Sequence, residues 1–137
     1  MAKFSTPVSE EKKVSTRKRN RGQLAYFKGS FAETTVAEVY MARGAILLET
    51  RWRGKSGEID LIFVDGDIYV FCEVKAAVTH EAAKCRLLPT QMKRIHGSAS
   101  EYLSFTPKGQ LSDVRFDLAL VDAKGEVQIL ENAFGHF

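Results

Sequence analysis

The chain has 137 residues, 45% of them apolar and 27% charged, a length and balance that predict one globular domain with a sizeable core. No run reaches the ~18 apolar residues a membrane helix needs, no secretory leader is visible in the first thirty residues, and Cys72 and Cys85 lack metal-like spacing, so a disulfide scaffold is excluded and a reducing, cytoplasmic compartment is expected. The net charge of +3 is uneven: residues 1–28 carry eight Lys and Arg against Glu10 and Glu11, leaving the remainder net acidic.

Residues 1–28 have few large apolar side chains and are expected to form a disordered basic arm, suited to a polyanion partner or to keeping the chain in solution. Residues 29–137 are expected to form the folded domain. A helix is predicted from Ser30 to Arg43, with Phe31, Thr35, Val36, Val39 and Tyr40 at helical spacing and Gly44 as its stop. Ala45–Glu49 reads as a strand, and Arg51-Trp52-Arg53-Gly54-Lys55-Ser56-Gly57 as a basic, glycine-punctuated loop. Glu58–Val64 and Asp67–Lys75 read as two strands joined by a hairpin turn at Asp65-Gly66. Residues 76–88 are irregular or weakly helical. Pro89 opens a helix to about Phe105, with Met92, Ile95, Ala99, Tyr102 and Leu103 on one stripe. Arg115–Val121 and Val127–Leu130 are the last strands. The order αβββαββ predicts an α/β domain, a mixed five-stranded sheet flanked by helices.

The hairpin concentrates chemistry. With Asp65-Gly66 as the turn, Asp60 lies opposite Phe71 and Glu58 opposite Glu73, so Glu58, Asp60, Glu73 and Lys75 project from one side of two adjacent strands. Facing carboxylates repel, and a divalent cation such as Mg²⁺ or Mn²⁺ would compensate them. A lysine beside such an ion suits hydrolysis of a phosphodiester. The other reading of the same residues is a solvated charged face of an antiparallel hairpin. Arg51, Arg53 and Lys55, just before the cluster, are placed to contact phosphates or to line a solvated loop. Trp52 fits a core or interface anchor better than a base-stacking platform. Arg115 and Asp117 share a strand face and are expected to pair and buttress the site. Cys72 faces away from Glu73 as a small core residue, and no metal is assigned to His80, His96 or His136.

Gly57-Glu58-Ile59-Asp60-Leu61-Ile62 followed by Phe71-Cys72-Glu73-Val74-Lys75 resembles the YraN-type uncharacterised bacterial family. That family is similar to the restriction-endonuclease-like PD-(D/E)XK superfamily, which includes archaeal Holliday-junction resolvases. The resemblance runs from about Gly29 to Phe134, with further matches at Glu33, Arg94-Ile95, Arg115-Phe116-Asp117 and Asn132-Ala133-Phe134. It implies a metal-dependent nuclease acting on nucleic acid, DNA before RNA, with branched DNA and a homodimer implied by the resolvases. By resemblance, Asp60, Glu73 and the Val74 carbonyl are metal ligands and Lys75 acts on the nucleophilic water. Glu33 reaches the site from the first helix, and Gln91 contacts a water or a phosphate. Ala32, Arg51, Ala77 and Gln91 depart from the family pattern, which expects Gly, Asn, Arg and Lys there. A non-catalytic nucleic-acid-binding module of the same fold, and a partner-binding protein with a structural charged face, are the alternatives.

Overall fold

A computed structural model describes residues 31–135; the basic arm over residues 1–28, Ser30 and His136 lie outside the described residues. Helix α1 spans Phe31–Ala42 and buries Val36, Ala37 and Tyr40. Phe31, expected on that stripe, is 72% exposed and lies beside Gly125. The helix ends as the sequence predicts. Gly44, at φ 99°, lets its own N–H reach the Met41 carbonyl and the Ala45 N–H reach that of Tyr40, closing the last turn.

Strand β1 (Ile46–Arg53) is longer than expected: Arg51, Trp52 and Arg53 belong to it rather than to the loop. Trp52 supplies the reason, packing against the core and edge-on to Tyr102 at 5.2 Å. Strands β2 (Glu58–Asp65) and β3 (Ile68–Ala76) form the predicted hairpin, but the turn is Gly66-Asp67. Gly66 has φ 64° and Asp67 does not share the positive φ, the pattern of a turn that requires glycine at its first central position. The correction moves each cross-strand partner by two residues, so the side chains from Leu61 to Cys72 keep their predicted faces. Asp60 now comes level with Glu73 instead of Phe71.

The short helix α2 (His80–Lys84) is capped by Thr79, whose hydroxyl accepts the Ala82 N–H at 3.0 Å. Helix α3 (Pro89–Leu103) buries Ile95, Ser98, Ala99 and Leu103, with Met92 and Tyr102 packed beside them as the stripe predicts. A 3₁₀ turn, Gly109–Leu111, leads to β4 (Asp113–Val121) and β5 (Val127–Leu130). The sheet order is β1-β2-β3-β4-β5, parallel only between β3 and β4. Helix α1 covers one face over Leu61, Phe63, Val70, Cys72, Ala119 and Val121. Helices α2 and α3 cover the other over Ile62, Phe71, Phe116, Leu118 and Leu120. The result is the expected mixed five-stranded α/β sheet with flanking helices, consistent with a restriction-endonuclease-like fold.

One irregularity positions the site. Leu61 faces α1, yet Ile59, two residues earlier, belongs to the core under α3. A regular strand places residues two apart on one face, so the ladder turns over between the Thr50–Leu61 and Trp52–Ile59 pairs. Arg51, at φ 50°, stands between them on β1. A left-handed backbone at a non-glycine residue costs of order 1 kcal/mol or more and needs support from its surroundings.

Candidate functional site

The pairing of β2 with β3 ends at Leu61–Cys72, and beyond it the two strands no longer share a ladder. Asp60 enters the gap, its Oδ2 accepting the Val74 backbone N–H at 2.8 Å. The N–H and C=O of one strand residue point to the same edge. The Val74 carbonyl therefore also faces the gap, while β3 continues to pair with β4 on its far edge as far as Ala76–Val121. Glu73 and Lys75, two residues apart on one face, form an ion pair at 3.1 Å. Glu33, in the first turn of α1, receives the Arg51 Nε–H at 3.1 Å.

Electrostatics tie these groups into one site. Asp60 is pushed up to about 7, first by burial and then by the facing charge of Glu73, against the pull of the Val74 N–H. Burial also raises Glu73, opposed by the charge of Lys75 and its hydrogen bond. Glu33 is raised by burial and then by Asp60, with Arg51 acting in the opposite direction. Glu33, Asp60, Glu73 and Lys75 are thus electrostatic neighbours, with Arg51 as a fifth member.

The remaining candidates are placed differently. Glu58 is exposed at the rim, and Arg53 and Lys55 are exposed beside it. Gln91 turns its Oε1 back to the Leu88 N–H at 3.2 Å, serving the start of its own helix. Arg115 and Asp117 do form the expected ion pair, with bonds of 2.9 and 3.1 Å. It lies beneath α1: fully buried Asp117 also accepts the Tyr40 hydroxyl at 2.6 Å and the Asn132 N–H at 2.9 Å. Its link to the site is therefore indirect, through the helix that carries Glu33. Cys72 is buried on that same face, as expected. His80 and His96 bind the backbone carbonyls of Glu126 and Phe134.

Several features escape sequence reasoning. The β1–β2 connection is fastened to α3: Ser98 Oγ donates to the Gly57 carbonyl at 2.8 Å, and the Lys55 N–H donates to Glu101 Oε1 at 2.8 Å. The stem of Arg94 lies beside Gly57, which makes this exposed arginine a third basic residue near the β1–β2 connection after Arg53 and Lys55. The legible signal was Gly97 in mid-helix: a Cβ there would stand 2.6 Å from Ser56 Oγ, so close approach requires glycine.

Among the described residues, no three His, Cys, Asp or Glu side chains converge tightly enough to ligate one ion by themselves. A metal here would take two carboxylates, Asp60 and Glu73, with the Val74 carbonyl and water, a hard oxygen set of the kind Mg²⁺ and Mn²⁺ accept. The donor chemistry fits. No helix among the described residues is long and apolar enough to cross a membrane.

Comparison with known proteins gives a family and no activity. The chain is 48% identical over 118 residues to a UPF0102 protein of Ruegeria sp. (strain TM1040), covering 86% of this chain and 95% of that one. It is 51% identical over 113 residues to a UPF0102 protein of Cereibacter sphaeroides (strain ATCC 17023), covering 82% and 97%. A Roseobacter denitrificans relative is 46% identical over 112 residues, covering 82% and 87%. The model of the uncharacterised protein family UPF0102, the YraN family, matches residues 32–121, across the whole carboxylate site, and the chain belongs to that family.

Proposed function

We propose that this chain is a Mg²⁺- or Mn²⁺-dependent nuclease that hydrolyses nucleic-acid phosphodiesters. The observation that carries the reading is the gap at the end of the β2–β3 ladder. There Asp60, Glu73 and the Val74 carbonyl offer oxygen ligands within reach of the Lys75 ammonium. A divalent ion held there supplies Lewis acidity and charge to activate a water and steady a phosphoryl oxygen. The protein's own groups do the rest. The Val74 N–H fixes Asp60, and Glu73 fixes Lys75. Lys75 orients the attacking water or neutralises charge developing on the phosphate. Arg53, Lys55 and Arg94, exposed around the fastened β1–β2 connection, hold the strand backbone.

Wild-type protein is expected to cut at least one member of a panel of duplex, single-stranded, flapped and four-way DNA and structured RNA with Mn²⁺, and Glu73→Ala to cut none. Equal cleavage by both proteins exposes a contaminant and removes the reading. A second reading, a binding module of the same fold, draws on two features: Ala77 packs into the core with no charge to offer, and Gln91 is engaged with its own helix. Tight binding of a panel member without cleavage favours it.

A further inference from the structure

The site holds three carboxylates and two cations, and the pairing between them is selective. Glu73 is matched to Lys75 and Glu33 to Arg51, each at 3.1 Å, while Asp60 is held by a backbone N–H. Glu33 feels the charge of Asp60, and Glu73 that of Glu33, so the groups are electrostatic neighbours. Yet among the described residues no three acidic side chains come within ligating geometry. Arg51 reaches Glu33 from the left-handed position where β1 turns over, a backbone state that disfavours a long side chain.

From these observations we propose that Arg51 is a built-in cation: it holds Glu33 back from the metal ligands and limits the carboxylate cluster to a single divalent ion. This rests on the metal-dependent reading above and specifies it. The charge balance points the same way. Three carboxylates against Arg51 and Lys75 leave one net negative charge, with exposed Glu58 screened by solvent at the rim. One divalent ion and one phosphodiester bring the site to neutrality; a second divalent ion leaves it strongly positive. Arg51 is thus a positioning residue for Glu33, a role distinct from the phosphate contact that its place in the sequence first suggests.

The test is Mn²⁺ titration of the full chain by calorimetry, with the free ion followed by electron paramagnetic resonance. Wild type is expected to bind one Mn²⁺ per chain. Glu33→Gln should retain that one ion within about threefold of wild-type affinity. Arg51→Asn keeps a residue suited to the left-handed backbone. It should bind the first ion about tenfold more tightly and take up a second, while Arg51→Lys should return to one. Two ions on wild type, loss of the ion in Glu33→Gln, or identical titrations for wild type and Arg51→Asn overturn the role of Arg51 and leave the metal site standing. No Mn²⁺ on either protein overturns both.

Discussion

Asp60 carries the largest consequence at the scale of single residues. Its carboxyl, pushed up to about 7 by burial and by Glu73, has an ordinary value near 4 in the unfolded chain. A raised carboxyl contributes stability that is whole below the unfolded value and is lost as pH rises through the folded one. Metal-free protein therefore loses stability between about pH 4 and pH 7 on account of this residue. Asp60→Asn keeps an acceptor for the Val74 N–H and removes one of two facing charges. It is expected to stabilise the metal-free protein by about 1–2 kcal/mol at pH 8. Urea denaturation at pH 8 and pH 5 checks this: the gain should shrink at the lower pH, and a gain independent of pH refutes the electrostatic cause.

At the scale of elements, the connection between β1 and β2 matters more than its loop-like sequence suggests. Trp52 enters the core, Ser98 and Glu101 bind the backbone, and Gly97 admits Ser56. Gly97→Val would push Ser56 away from α3 and undo the Ser98–Gly57 bond. The expected loss is about 1–3 kcal/mol, read by urea denaturation, with faster amide exchange at residues 54–57. Unchanged stability and exchange mean that the connection is held by Trp52 alone. The same region shows where sequence reading stops. Residues 51–57 read as a loop because glycines and charges interrupt the apolar pattern. The left-handed Arg51, the turnover of the ladder and the fastening to α3 are tertiary facts with no local periodicity. The hairpin, by contrast, was legible to within one turn residue. A shift of partners by two preserves faces as far as Leu61–Cys72; beyond that pair the Val74 N–H and the charge of Glu73, not the hairpin register, tie Asp60 to Glu73 and Lys75. Glu33 was placed by resemblance alone, since nothing in its helical pattern marks it.

For the molecule as a whole, the succession of elements and a mixed five-stranded sheet are legible in the sequence, whereas the strand order and the sharing of two cores between one helix and a helix pair are tertiary facts. The parallel pairing of β3 with β4 sets the order in which the chain can assemble. The hairpin joining β2 to β3 closes over two residues, whereas β4 reaches β3 only after the chain from Ala77 to Ser112 has travelled back along the sheet. Closing the longer loop costs more chain entropy. During refolding, amides of Phe63 and Val70 should gain protection from exchange before those of Leu118 and Ala119, as pulse-labelled exchange would read; the reverse order contradicts this account. The acidic groups are then drawn together early, on a hairpin whose outer edge is still bare. Facing like charges oppose their own approach, so on the metal-dependent reading proposed above a divalent ion present from the start should speed the first steps of refolding.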